Sequence, residues 1–419
     1  MSQLLLKSVM LENSIRDILI ADGIFKSIAP AGTLNANAPD AYVLDCRHMA
    51  IVPAFYNTHT HAAMTFVRGL ADDVPLKVWL EQHIWPREAK LSDEDVYVAS
   101  KFAILEMIRS GTVFFSDMYW HRTQTIRAVE EMGIRASIGV TFADVLKPDA
   151  TENLEFLSEN APKCKDRIRL SVAPHAIYTN SAKSLTLAAE CSEKYQIPLH
   201  VHLAETRGEE KGSVDPTHGK SPVEYLDSLG LLSRRTVAAH VVHVSERDLD
   251  ILAERGVTVA HNPCSNMKLA SGVFRAKPFI DRGIRLTLGT DGASSNNNLD
   301  MREEMKFASL LAKMTSGDPT ILSANETLKM ATQNGAETFG FHAGKIEEGW
   351  IADALLLNLN APCFAVGDVI SNWVYAANSS VIDTVICNGN VLMQHRVIPF
   401  ADDIEREFRE RFCDSRWNL

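Results

Sequence analysis

The chain has 419 residues, a formal net charge of −11, 46% apolar residues and 23% charged ones. That length exceeds one compact domain of ordinary size and permits a large buried core, while the acidic balance and the lack of any Lys/Arg run argue against nucleic acid as a partner. No apolar run approaches the roughly 18–20 residues of a membrane span, and Glu12, Arg16 and Asp17 fall where a signal peptide would be apolar, so a cytoplasmic protein with reduced cysteines is expected.

Residues 4–45 hold short strand-like runs around an Asp22-Gly23 turn. From residue 50 eight short apolar runs follow: AIVPAF at 50, TVFFS at 112, RASIGV at 135, RLSVA at 169, LHVHLA at 199, TVAAHV at 236, TVAH at 258 and RLTLGT at 285. Helical patterns fill the gaps. The clearest is capped by Ser92, has Asp93 and Glu94 in its first turn, keeps its apolar spacing through Ile104 and Ile108, and stops at Gly111. Strand then helix, eight times over, predicts an α/β fold with a closed (β/α)8 TIM-like barrel. Residues 350–395 return to strand-like runs, with a hairpin around Asn388-Gly389. Neither β-rich tail could bury a core alone. We therefore expect residues 1–50 and 346–400 to share a small β-sandwich, residues 51–345 to form the barrel, and 401–419 to hold a C-terminal capping helix.

His59-Thr60-His61 follows the first apolar run. Alternation along a strand puts both imidazoles on one face, where both can reach one metal ion. An isolated H-x-H is a weak signal, but three later runs add to it. The fifth carries His200 and His202 and leads to Glu205; the sixth ends in His240-Val241-Val242-His243; the eighth ends in Thr290-Asp291-Gly292. Barrel enzymes gather their reactive groups at the C-terminal strand ends, so these side chains are expected at one mouth. His202, nearer its strand end, is expected to reach that mouth, with His200 behind it. A spacing of three cannot turn both His240 and His243 inward, so His240 is read as inward and His243 as structural. His121 and His261 are read as hydrogen-bonded structural histidines, with His121 close enough to the second run to line the mouth.

HTHAAM, HLAET, AHVVH, HNPCSNMKL and TLGTDGASSNNNLDM resemble the successive motifs of the amidohydrolase superfamily, and within it the 5'-methylthioadenosine/S-adenosylhomocysteine deaminase branch. The likeness covers nearly the whole chain, down to GKIEEGWIADALLLNL. It implies a metal-dependent hydrolase that deaminates adenosine-type nucleosides, releasing ammonia and the inosine analogue. His59, His61, His202 and Asp291 would hold one divalent ion, most often zinc and in some members iron; RLSVAPH offers no lysine to bridge a second. Glu205 takes the place of the proton-shuttling glutamate, His240 that of the histidine beside the attacking water, and His175 that of a substrate-contacting histidine, while Asp291 doubles as a base. A small-molecule nucleoside is the expected partner, with neither nucleic acid nor membrane, and a homo-oligomer the expected assembly.

The segment from Trp79 to Glu88 resembles the branch's first long loop, which implies Trp79 packing on the nucleoside, Glu88 accepting from ribose hydroxyls and Ser295 assisting. A carboxylate, acceptor-only, suits that task. Ala54 stands where relatives usually have glycine and Val241 where cysteine is common. More consequential is SIGVTFADVLKPDATENL, whose only base is Lys147; members that accept S-adenosylhomocysteine hold its carboxylate with arginines in this region. A triazine or other heteroaromatic hydrolase is the alternative on the same barrel, and it would not need Trp79, Glu88 and Ser295. An inactive scaffold would not need the complete ligand set and Glu205.

Overall fold

The computed structural model describes residues 3–34, 41–164, 166–209, 217 and 219–413. Eight parallel strands lie side by side in chain order: β1 Phe55–Thr60, β2 Thr112–Asp117, β3 Arg135–Phe142, β4 Ile168–Pro174, β5 Leu199–Leu203, β6 Thr236–His240, β7 Thr258–His261 and β8 Arg285–Leu288. The seam between β8 and β1 is bridged by Thr58 Oγ1 donating to the Leu288 carbonyl at 2.9 Å, Asn57 Nδ2 donating to Thr290 Oγ1 at 2.7 Å and the Asp291 amide donating to the His59 carbonyl at 3.0 Å. Helices cover the outside, so β1, β2 and β3 are buried along their whole length.

The apolar run at 50 divides in two. Met49–Pro53 belongs to a second sheet, with Pro53 opposite Ala354, and the chain enters the barrel only at Phe55. Proline has no amide hydrogen to donate to a ladder, which suits Pro53 to the last position of that strand. That second sheet runs in the order 390–393, 382–387, 354–358, 49–53, 4–11, 14–21, 24–30, with 42–45 beside 4–11, so the two ends of the chain pair directly. Period-two alternation splits its side chains. Ile51, Ala354 and Leu356 join a core made by this sheet itself, whereas Ala50, Val52, Leu355 and Leu357 pack with the barrel. The expected sandwich is thus one continuous sheet whose inner face closes on itself. Its two hairpin turns put Asp22-Gly23 at φ +53° and +79° and Asn388-Gly389 at +52° and +74°, the left-handed pair that a two-residue hairpin requires.

The joint between sheet and barrel is polar. Arg135 of β3 pairs with Asp353, which also accepts from Tyr56 Oη at 2.5 Å and from the Asn388 amide at 2.6 Å; arginine and carboxylate side chains are 4% and 0% exposed. Helix Asp93–Arg109 has the expected Ser92 cap, reciprocated by Asp95. Helix Ala401–Phe412 lies against it, stacking Phe408 on Phe102 with ring centroids 4.0 Å apart and pairing Arg411 with Asp95 at 2.6 Å. Among the described residues no helix is long and apolar enough to cross a membrane.

Candidate metal centre and substrate pocket

The strand ends deliver their side chains to one point. His59 and His61 leave β1 on the same face with ring centroids 5.0 Å apart, and Gly289 lets β8 close on them, since a Cβ there would stand 2.8 Å from the His59 carbonyl oxygen. His59, His202, His240 and Asp291, all buried, each offer one ligand atom within 4.8 Å of the others. His61 Nε2 joins them, 3.2 Å from Asp291 Oδ1 and 3.3 Å from His202 Nε2. Backbone strain concentrates here: Ala204, His240, Val241 and Asp291 have φ of +50°, +72°, +50° and +60°, a region that a β-branched residue such as valine rarely enters. The Val241, Val242 and His243 amides hold the turn by donating to the Leu203 and Ala204 carbonyls at 2.9–3.0 Å.

Hydrogen bonds on the far side of each ring fix which nitrogen points inward. His61 Nδ1 donates to the Met118 carbonyl at 2.6 Å and His202 Nδ1 to the His175 carbonyl at 2.7 Å. His59 Nδ1 lies 2.9 Å from His200 Nε2, and His200 Nδ1 lies 3.1 Å from Ser116 Oγ, so His200 supports His59 from behind. The inward Nε2 atoms of His61 and His202 face each other, which demands a positive charge between them. Burial opposes charge on His61, yet Asp291 and the Met118 carbonyl draw it up to about 9. His59 Nε2 is buried with no hydrogen-bond partner among the described residues, although Asp291 Oδ1 stands 3.3 Å away; burial takes this ring down to about 4. Burial and the neighbouring histidines lower His202 well below the usual imidazole range. Burial alone would raise Asp291, but His59 and His61 hold it well below the usual carboxylate range. The inward nitrogens of His59, His61 and His202 and the Asp291 carboxylate lie at spacings of 3.2–3.3 Å, which match the edge of a tetrahedron with metal–nitrogen bonds of about 2.0–2.1 Å, and a cation there would take the place of the proton on His61. The donor set fits one divalent cation.

A partly open pocket lies above this cluster. His61, His175, His202, Glu205, His240, Asp291, Trp79, Glu88 and Ser295 all line it, and His59 belongs to the cluster at its base. The segment expected as a loop is helical, with a π-helical stretch over Trp79–Ile84, a form that recurs at functional sites. His121 does not reach this pocket: its Nδ1 is paired with Asp93 at 2.6 Å. His261 stacks on Phe274 with centroids 4.1 Å apart, and its Nδ1 has no partner among the described residues, contrary to the reading of a hydrogen-bonded histidine. His243 Nε2 donates to the Ser271 carbonyl at 2.6 Å.

Several supporting residues had no individual role in the sequence reading, although Ser265 and Asn266 lie within HNPCSNMKL. Ser265 Oγ donates to Asp291 Oδ2 at 2.6 Å, Asn266 Oδ1 accepts from His240 Nδ1 at 2.8 Å, Ser271 Oγ donates to Glu205 Oε1 at 3.2 Å, and the Glu205 amide donates to Glu209 Oε2 at 2.7 Å. Burial raises Glu205 above the usual carboxylate range. His240 Nε2 lies 4.0 Å from Glu205 Oε2 and 3.9 Å from Asp291 Oδ2. A side chamber adjoins the pocket past Tyr119 and Trp120, with Arg122, Lys147, Glu152, Glu155 and Glu159 in its wall. Arg122 and Lys147 both pair with Glu152, at 3.1 Å and 2.7 Å. Arg122 comes from beyond β2, outside SIGVTFADVLKPDATENL.

Barrel, strand-end His/Asp cluster and overlying pocket define a class of protein: barrel hydrolases that work with a divalent metal. The chain belongs to the amidohydrolase family, which matches residues 50–392. It is 47% identical over 361 residues, 84% of each chain, to 5-methylthioadenosine/S-adenosylhomocysteine deaminase 1 of Archaeoglobus fulgidus. To the 5'-deoxyadenosine deaminase of Methanothermobacter thermautotrophicus it is 43% identical over 383 residues, 90% of this chain and 89% of the relative. An adenosine deaminase from Xanthomonas campestris, solved with bound zinc, superposes with a TM-score of 0.89 at 31% identity and covers 98% of both chains.

Proposed function

We propose that this chain is a metal-dependent hydrolytic deaminase of adenosine-type nucleosides, acting on adenosine or 5'-methylthioadenosine ahead of S-adenosylhomocysteine. The observation that carries the reading is the meeting, in one pocket, of the His/Asp cluster, the buried Glu205 and the Trp79–Glu88 wall. Identity of 43–47% with nucleoside deaminases over 84–90% of this chain favours it over a triazine hydrolase.

His59, His61, His202 and Asp291 are assigned as the ligands, with zinc as the ion. The spacings of 3.2–3.3 Å around His61 favour it over His240, whose Nε2 is 3.9 Å from Asp291 Oδ2. A bound divalent ion supplies the Lewis acidity that brings water to hydroxide near neutral pH. Glu205, raised by burial, carries a proton to a purine ring nitrogen and so makes the adjacent carbon electrophilic. His240, anchored by Asn266, directs Nε2 at the space between Glu205 and Asp291 and orients the nucleophile. Asp291 relays a proton to the departing amine, so that water and the aminopurine leave as the oxopurine and ammonia. Trp79 packs on the nucleoside, His175 contacts it, Glu88 accepts from its ribose and Ser295 assists.

The preference for an uncharged 5' group rests on the side chamber. Its arginine and lysine are already committed to Glu152, with Glu155 and Glu159 beside them. An amino-acid carboxylate entering there would lose water without gaining a free cationic partner. An ammonia-release screen with adenosine, 5'-methylthioadenosine, S-adenosylhomocysteine, guanine and a triazine panel tests the reading. Release from triazines and from none of the nucleosides would overturn it. Two ions per chain by metal analysis, or full activity after complete chelation, would overturn the ligand assignment.

A further inference from the structure

Tyr119 sits two residues beyond β2, where its backbone is pinned on both sides. The preceding Met118 carbonyl accepts from His61 Nδ1 at 2.6 Å, and its own carbonyl accepts from Thr141 Oγ1 at 3.1 Å. The residue is 5% exposed, yet it lines both the pocket and the side chamber and so stands at their junction. Its hydroxyl has no hydrogen-bond partner among the described residues. That hydroxyl faces the Glu88 carboxyl without closing a bond of good geometry, and the Trp120 indole faces the same carboxyl.

A buried tyrosine hydroxyl ordinarily finds a partner. Here the backbone of the residue is held, and its one unmatched polar atom lies buried beside Glu88 where the pocket and the side chamber meet. Chemistry narrows what would match it. A carboxylate only accepts, whereas a phenol both donates and accepts, so the pair offers more than either group alone to neighbouring hydroxyls, which themselves donate and accept. We propose that Tyr119 is a specificity-determining residue that works with Glu88 to bind a vicinal diol, the 2'- and 3'-hydroxyls of ribose, with the phenol bonded to one of them. This rests on the nucleoside reading above and extends it to a residue that reads the sugar directly.

The test compares wild type and Tyr119→Phe on adenosine, 2'-deoxyadenosine and 3'-deoxyadenosine. The substitution removes one oxygen and leaves the packing, and equal melting temperatures check that the fold is kept. Loss of one such contact should raise KM for adenosine about ten-fold, with a smaller change in kcat. On the analogue that lacks the hydroxyl held by Tyr119, wild type and variant should have equal kcat/KM, while the other analogue should show the full loss. Equal losses on all three substrates would make Tyr119 a mere support of the wall, and no loss on any would leave its hydroxyl out of binding; either result overturns the proposal while the nucleoside reading stands. Wild-type protein that releases ammonia from none of the three would overturn the reading itself, and this inference with it.

Discussion

Ser265 Oγ donates to Asp291 Oδ2 at 2.6 Å, while Asp291 Oδ1 accepts from the Gly292 amide at 2.8 Å and faces His59 and His61. The two oxygens therefore have separate duties: one is held from behind, and the other is presented to the imidazoles. Groups that orient a metal ligand in this way typically contribute 10- to 100-fold in metal affinity. Ser265→Ala should weaken divalent-ion binding by about ten-fold, read by competition with a chelator. An affinity equal to wild type would show that the carboxylate needs no such anchor.

Glu205 lies in the same pocket, but its assigned task is to carry a proton rather than to hold the ion. Glu205→Gln keeps the shape and the contact from Ser271 and removes the titrating group. It should retain its metal and lose about 10²–10⁴ in turnover, the usual range for general acid–base catalysis. A variant that loses its metal, and regains near-normal rate when refilled, would show the role to be wrong.

Side-chamber charge should set the ranking of substrates. Wild type is expected to have a higher kcat/KM on adenosine and 5'-methylthioadenosine than on S-adenosylhomocysteine. Glu152→Ala frees Arg122 and Lys147 from their shared partner and should improve S-adenosylhomocysteine relative to 5'-methylthioadenosine by several-fold, since a charge-assisted contact is worth about 1.5–3 kcal/mol when desolvated and less at this exposed rim. Equal wild-type activity on all three, or no relative gain in the variant, would refute the charge argument.

A fourth expectation concerns stability. Asp353 is fully buried and serves Arg135, Tyr56 and the Asn388 amide together. Removing it leaves a buried guanidinium without its counter-charge, a change that typically costs about 3–5 kcal/mol. Asp353→Ala should lower unfolding stability by that order in denaturant titrations, and a loss below about 1 kcal/mol would mean that water or another group repairs the joint.

The chain order of strands and helices was legible from the sequence because each βα unit carries its own local signature: a short apolar strand, a cap such as Ser92, a stop such as Gly111. The β1 pair His59 and His61 was legible for the same reason, since period two is a property of any strand. The two hairpins announced themselves through residues that tolerate left-handed backbone. What the tertiary structure alone decided depends on contacts between distant segments. The split at Pro53 follows from pairing with Ala354, some three hundred residues away. Ser265 and Asp291 are 26 positions apart on different βα units, and no periodicity links them. Tyr119 reads in sequence as one more apolar residue after a strand; that its hydroxyl is buried without a hydrogen-bond partner among the described residues is seen only in the folded chain. Local patterns record what a segment does by itself, whereas the partners of a polar atom are set by how the barrel closes.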